Sequence, residues 1–116
     1  MKQWEIWYVH QKYARRELNP PQPNDPSPYN RMYVLVASPY NRDGIICCPI
    51  QNKQNLIRLT EVELKDGCAG GITKDCKVVC HDIFTLPKRF FEKMVGILNI
   101  SEQQQIQVSL RMILEI

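Results

Sequence analysis

Short apolar runs separated by polar breaks dominate the first half of the chain, a pattern typical of many short β-strands. Residues 5–9, 32–37 and 45–50 are rich in aromatic and β-branched side chains, which favour strands. The second run stops at Ser38-Pro39, and a polar turn at residues 40–44 leads into the third. We therefore predict that the second and third runs form a β-hairpin.

The second half contains two further candidate strands and a polar pair within one of them. Residues 57–64 alternate between apolar and polar positions, which indicates a half-exposed strand. Residues 77–86 are predicted to form one or two short strands, interrupted by His81-Asp82. A carboxylate or an imidazole inside a buried run is costly unless it is paired. We therefore expect His81 and Asp82 to lie at a strand end that borders a concave site.

The chain ends in an amphipathic segment that predicts an α-helix. Ser101 followed by Gln104 fits a capping box at its start. Apolar residues at i, i+4 and i+7 then form one core-facing stripe: Ile106, Leu110 and Ile113. Pro87 is suited to the first position of another short helix, which ends near Phe91. Many short strands with a terminal helix favour a mainly β fold, a compact antiparallel barrel or half-barrel with the helix packed against it.

Residues 10–31 break this pattern, because five of the eight prolines lie between positions 20 and 28. Proline removes a backbone donor and does not continue a helix or a sheet ladder. The segment is therefore predicted to be a long loop within a single domain that spans residues 1–116. Four basic residues of this loop and of the loop after the third strand are candidates for contacts with phosphates and bases: Lys12, Arg15, Arg16 and Lys53. The alternative is that they are ordinary solvated charges.

Composition and charge restrict the function classes only weakly. A net charge of +3, from 15 basic and 12 acidic residues, is too small to imply a polyanionic partner by itself. No apolar run approaches the ~20 residues of a membrane span, and the N-terminus has no signal-peptide pattern, so we expect a cytoplasmic protein. The five cysteines lack the paired ligand spacing of zinc sites. We therefore predict no metal or cofactor and expect small, buried, reduced thiols.

Five segments occur in an order that produces a family resemblance. The first strand begins with Trp-Glu-Ile-Trp at residues 4–7, residues 31–39 form an apolar strand that ends in Ser-Pro, and residues 49–51 read Pro-Ile-Gln. The segment 76–89 and the closing helix at 101–116 follow. This order resembles the MazF/PemK/Kid family, the toxins of bacterial toxin–antitoxin pairs.

The resemblance implies a small SH3-like barrel of the MazF/Kid/CcdB type, assembled as a symmetric homodimer. It also implies an endoribonuclease that cleaves single-stranded RNA without a metal, and a cognate antitoxin with an acidic, largely disordered tail. In such a reaction a base removes the ribose 2′-OH proton, a cation or strong donor stabilises the phosphorane, and an acid protonates the leaving oxygen. A homodimer agrees with an apolar excess near the C-terminus: Ile97, Leu98, Met112, Ile113, Leu114 and Ile116.

The chain departs from the family at the positions that the resemblance makes catalytic. The family's arginine ahead of the second strand corresponds to Met32 here, and Arg31 takes that place only if the strand holds one extra residue. The threonine of the family's Pro-Ile-Thr corresponds to Gln51, which donates and accepts hydrogen bonds but has no hydroxyl.

The later strand is altered as well. The family's arginine before the strand cysteine corresponds to Val79, and its aspartate after that cysteine corresponds to His81, with Asp82 following. An exchange of aspartate for histidine keeps a plausible base. The resemblance therefore implies an altered catalytic set: His81, Arg31, Gln51 and Asp82.

Three functional classes fit these residues. The first, which we favour, is an active endoribonuclease toxin with a rearranged site. The second is a MazF-like domain that has lost cleavage and binds RNA or a partner protein. The third is a domain of this fold that does not act on RNA, such as a topoisomerase-poisoning relative that works through its C-terminal helix. One fold hosts many functions, so the fold alone does not choose among them. For His81 itself, the alternative is an ordinary strand-end histidine bonded to the backbone.

Overall fold

The computed structural model describes residues 1–10, 32–52, 57–64 and 76–116. Its elements, in chain order, are strands β1 Glu5–Val9, β2 Met32–Leu35, β3 Gly44–Asn52, β4 Glu61–Leu64, β5 Cys76–Val79, β6 Phe84–Pro87 and β7 Phe91–Ile97, followed by helix α1 Ile100–Leu114. Two short 3₁₀ turns, Cys80–Asp82 and Lys88–Phe90, join β5 to β6 and β6 to β7. The second turn begins directly after Pro87, where the short helix was expected.

The seven strands form one antiparallel sheet, with the order β4-β5-β3-β2-β1-β7 and with β6 paired to β3. Tyr33 lies opposite Pro49, which confirms the predicted hairpin of β2 and β3. The terminal strands β4 and β7 do not pair with each other, so the sheet of the described residues stays open. The predicted fold class, mainly β with a C-terminal helix, is confirmed.

Apolar side chains are buried on both faces of the central strands. Successive residues of a strand point to opposite faces of a sheet. In β2, Val34 lies in a core cluster with Ile106 of α1, whereas Tyr33 and Leu35 lie in a second cluster with Phe91. All four residues of β2 are buried for this reason. The cysteines of the described residues are also buried and free, as expected for small apolar side chains: Cys47, Cys48, Cys76 and Cys80.

Helix α1 begins one residue before the predicted Ser101, with Asn99 as its N-cap. The Glu102 N–H donates to Asn99 Oδ1 at 2.8 Å, and the Asn99 N–H donates to Glu102 Oε1 at 3.1 Å. The predicted Ser101–Gln104 capping box was therefore wrong, because Asn99 and Glu102 form the same motif two residues earlier. The predicted core stripe is confirmed: Ile106 is fully buried, and Leu110 and Ile113 pack against the core. Within the described ranges, no helix is long and apolar enough to cross a membrane.

Residues 57–64 form a shorter strand than predicted, because a turn precedes Glu61–Leu64. The Arg58 N–H donates to Glu61 Oε1 at 2.9 Å, and the Glu61 N–H donates to the Arg58 carbonyl at 3.0 Å. We call residues 58–61 the 58–61 turn. It replaces the first half of the expected strand and lies close to the site described below.

Strand β7 was not predicted, because its pairing with β1 is irregular. The register shifts between Ile6 and Trp7 and again between Tyr8 and Val9. Such irregularities disturb the in–out alternation on which strand prediction depends. Residues 91–97 accordingly lack a regular period of two.

Candidate active site

The 3₁₀ turn Cys80–Asp82 presents the predicted polar pair at a break in the sheet. Strand β3 pairs with β5 through residues 50–52 and with β6 through residues 44–47, and the turn crosses the interval between them. Cys80 is fully buried, and its N–H donates to the Thr60 carbonyl at 3.0 Å. The side chains of His81 and Asp82 are 32% and 27% exposed. The expectation that this pair lies at a strand end is confirmed.

Both ring nitrogens of His81 face a polar group. Nδ1 lies 2.7 Å from the hydroxyl oxygen of Thr60, a hydrogen bond between side chains 21 residues apart. Nε2 lies 3.8 Å from Asp82 Oδ2, which is too long for a hydrogen bond but close enough for charge attraction. The sequence did not indicate Thr60, because it lies in a segment predicted to be a strand and belongs to no motif.

A buried ion pair supports the 58–61 turn from the sheet. Lys77 Nζ of β5 lies 3.0 Å from Glu61 Oε2, and the two side chains are only 12% and 4% exposed. Burial alone would raise the pKa of Glu61, but the Arg58 N–H and the Lys77 ammonium outweigh burial and hold that pKa below its ordinary value of 4.5. Glu61 is therefore a charged, fixed group at neutral pH.

Helix α1 holds the same turn from the other side. Ser109, which is buried in α1, donates from its hydroxyl to the Leu59 carbonyl at 3.3 Å. Burial raises the pKa of Cys80 to about 11, although a hydrogen bond with Ser109 acts in the opposite direction. The Cys80 thiol is therefore protonated at neutral pH and is a structural group rather than a nucleophile.

An open groove of about 700 Å³ lies between the 58–61 turn and α1. It is lined by Ile57, Arg58, Leu59, Glu61, Val62, Ser101, Gln104, Gln105, Val108, Ser109 and Met112. Thr60, the contact of His81, is flanked in the chain by two of these residues. The turn that carries Thr60 is thus also one wall of the groove.

Gln51 lies further along the sheet than the other candidates. It pairs across β3 and β5 with Lys77, which pairs in turn with Glu63 of β4, so these three side chains share one row of the sheet. Lys77 is the second residue of β5, whereas His81 follows the end of β5 by two positions. The structure thus brings Asp82 and Thr60 to His81 and places Gln51 opposite Lys77, nearer the start of β5. The other candidates lie outside the described residues: Arg31, Lys12, Arg15, Arg16 and Lys53.

Sequence comparison places the chain in a known family. The model of the PemK-like, MazF-like toxins of type II toxin–antitoxin systems matches residues 2–114. The chain belongs to this family. No curated protein sequence matches it.

Three solved structures have the same fold. An endoribonuclease in complex with its cognate antitoxin, from a mycobacterial species, has a TM-score of 0.73 and 13% identity and covers 100% of this chain and 96% of its own. The Mycobacterium tuberculosis toxin MazF-mt6 has a TM-score of 0.70 and 15% identity, over 97% of both chains. MazF from Deinococcus radiodurans has a TM-score of 0.71 and 13% identity, over 100% of this chain and 97% of its own. At such low identity these likenesses show the fold alone.

Within this MazF-like fold, the register of β2 places Met32 in the core. Met32 lies opposite Tyr8 of β1 and is 3% exposed, and the ladder continues to Leu35 without a shift. Residues 32–35 therefore pair without a bulge, and Arg31 itself lies outside the described residues. Val79, at the second arginine position, is also buried. The resemblance made four described positions correspond to catalytic residues of the family: Met32, Gln51, Val79 and His81. Of these four, His81 is the partly exposed ionisable residue.

Proposed function

We propose that this protein is a toxin that cleaves single-stranded RNA as a metal-independent endoribonuclease, with a catalytic set altered from that of its family. The observation that supports it best is the partly exposed His81, which is held by Thr60 and faces Asp82. By resemblance, this position carries an aspartate in the family. Two of the similar structures are described as endoribonucleases, which agrees with an RNA substrate.

The proposed reaction uses the ribose 2′-OH as its nucleophile. His81 removes the 2′-OH proton, the oxygen attacks the adjacent phosphorus, and the P–O bond to the next nucleotide breaks. The products are a 2′,3′-cyclic phosphate and a 5′-hydroxyl, and the leaving oxygen takes up one proton. Arg31 is the proposed cation at the phosphorane and Gln51 a proposed donor that positions the phosphate. Asp82, whose Oδ2 lies 3.8 Å from Nε2, would hold the tautomer of His81.

Cleavage in the presence of EDTA tests this function. The purified protein is incubated with several single-stranded RNAs, with and without EDTA, and the new ends are analysed. We expect equal cleavage under both conditions and fragments that end in a 2′,3′-cyclic phosphate. A His81→Gln preparation, purified in parallel, controls for contaminating ribonucleases. Cleavage that EDTA abolishes would reject the mechanism.

The buried Met32 supports a second function, a MazF-like domain that has lost cleavage and binds RNA or a partner protein. A methionine at this place supplies no cation, and Gln51 supplies no hydroxyl at the other family position. RNA binding without cleavage of any RNA tested would favour this second function. The same assay therefore distinguishes the two.

We propose an acidic antitoxin tail as the protein partner, because one similar structure is described as an endoribonuclease with its cognate antitoxin. Lys12, Arg15 and Arg16 are the proposed basic contacts for this tail and for RNA, together with Lys53. Replacing Lys12, Arg15 and Arg16 together by alanine should weaken both interactions. The slope of log K against log salt for RNA should become shallower by about 2, because each neutralised phosphate of a single strand contributes ~0.7 to that slope.

A control variant for this experiment removes the same charge from scattered exposed positions: Lys2, Lys93 and Arg111. It should leave the salt slope close to that of the unmodified protein. Equal reductions of affinity in the two triple variants would mean that net charge, rather than this loop, determines the affinity.

We also propose a symmetric homodimer. Of the six apolar residues that suggested it, Leu98 is buried and Ile113 is half-buried, but four remain exposed in the single chain: Ile97, Met112, Leu114 and Ile116. Exposed apolar surface of this kind favours burial against a second copy. Sedimentation at micromolar concentration distinguishes the dimer from a monomer.

A further inference from the structure

We infer that Thr60 is the positioning residue of His81, holding its imidazole ring in one orientation and one tautomer; the catalytic part of this inference rests on the proposed function. The Thr60 hydroxyl lies 2.7 Å from His81 Nδ1, the shortest contact that the described residues give this ring. The two residues are 21 positions apart. Their contact therefore depends on how the 58–61 turn is held.

The backbone of Thr60 is fixed by contacts on both of its sides. Its carbonyl accepts the N–H of Cys80, the residue before His81, at 3.0 Å. The preceding carbonyl, of Leu59, accepts the hydroxyl of Ser109 at 3.3 Å. The following residue, Glu61, is bound to Lys77 at 3.0 Å. The hydroxyl of Thr60 is thus presented from a rigid support, which is what a positioning group requires.

Asp82 determines which tautomer this hydrogen bond selects. Its carboxylate lies 3.8 Å from Nε2 and favours a proton on that nitrogen, whereas a lone pair there would face negative charge. Nδ1 is then the basic nitrogen, and it accepts the hydrogen bond from the Thr60 hydroxyl. The neutral ring should therefore carry its proton on Nε2.

A hydroxyl suits both protonation states of a histidine that transfers protons. When His81 acts as the base, the ribose 2′-OH gives its proton to the Thr60 oxygen while the Thr60 hydroxyl proton moves to Nδ1, so that Thr60 changes from donor to acceptor. The new Nδ1–H remains hydrogen-bonded, and the imidazolium faces the Asp82 carboxylate. The ring therefore keeps its orientation in both protonation states. Valine has the shape of threonine but provides neither bond.

The experiment compares Thr60→Val with Thr60→Ser. Nitrogen chemical shifts of the His81 ring are measured by NMR at about pH 8.5, where free imidazole is neutral. The unmodified protein and Thr60→Ser should show one tautomer, with the proton on Nε2. Thr60→Val should show averaged shifts from a mixture of both tautomers. His10, the other histidine of the chain, should keep the same shifts in all three proteins.

Cleavage kinetics give the second measurement. Thr60→Val should lower kcat about tenfold to a hundredfold, the range for removal of a hydrogen bond to a charged group, with little change in KM. Thr60→Ser, which keeps the hydroxyl, should have a kcat close to that of the unmodified protein. Unchanged ring shifts in Thr60→Val would overturn the inference, even if kcat fell. If the unmodified protein cleaves no RNA, the proposed function fails, but the ring shifts still decide the role of Thr60.

Discussion

Replacing Lys77 by Met should lower the free energy of unfolding by about 3 kcal/mol. Glu61 is almost fully buried, and the Lys77 ammonium at 3.0 Å is its charged partner. Methionine keeps the length of the side chain but removes the ammonium, so that the carboxylate keeps the Arg58 N–H as a hydrogen-bond donor and loses its ion pair. The decrease is measured by chemical denaturation, with an unchanged m-value as the sign that both states keep their compactness.

The double variant Lys77→Met, Glu61→Gln is the matched control. The glutamine would leave no buried charge, so the double variant should recover most of the stability that Lys77→Met alone removes. A Lys77→Met protein as stable as the unmodified one would mean that solvent reaches Glu61 and that the ion pair contributes little.

The stability that Glu61 contributes should also depend on pH. Its pKa is lower in the folded protein than its ordinary value of 4.5, so below that value the unfolded chain binds the proton more readily. The contribution is therefore fully present above about pH 5 and is lost as pH falls through the folded pKa. Glu61→Gln should remove this part of the acid dependence.

The main elements of the fold could be predicted because their signals are local. The hairpin of β2 and β3 follows from two apolar runs around a polar turn, and the α1 stripe follows from the spacing of Ile106, Leu110 and Ile113. The start of α1 was missed because two overlapping sequences both fit a capping box. Strand β7 was missed because its partner β1 imposes two register shifts that its own sequence does not reveal.

The candidate site was predictable to a similar degree. A polar pair inside an apolar run indicated His81 and Asp82. The structure places them in a partly exposed turn between β5 and β6, the two strands that both pair with β3. Thr60 could not be found in this way, because its position depends on the carboxylate of Glu61 closing a turn and on a helix 50 residues away. The resemblance suggested Gln51 by its place after Pro-Ile. Its pairing with Lys77 of β5 places it away from the turn that carries His81.

The largest effect on activity is expected from His81→Ala. If His81 is the acid–base group, this variant should cleave RNA about two to four powers of ten more slowly, the usual range for one such residue. Arg31→Ala should lower the rate by a similar factor if Arg31 is the cation at the phosphate. Rates are measured on one RNA under single-turnover conditions, so that binding and product release do not obscure the chemical step.

His10→Ala is the matched control for this effect, since His10 is the other histidine and lies, half-exposed, 3.8 Å from Glu92 at the end of β1. It should cleave RNA at the rate of the unmodified protein. Full activity in His81→Ala would exclude His81, and slower cleavage by both variants would indicate a nonspecific effect. Cleavage that falls in His81→Ala while the denaturation midpoint is unchanged would assign the effect to chemistry, because the side chain is partly exposed and contributes little to the core.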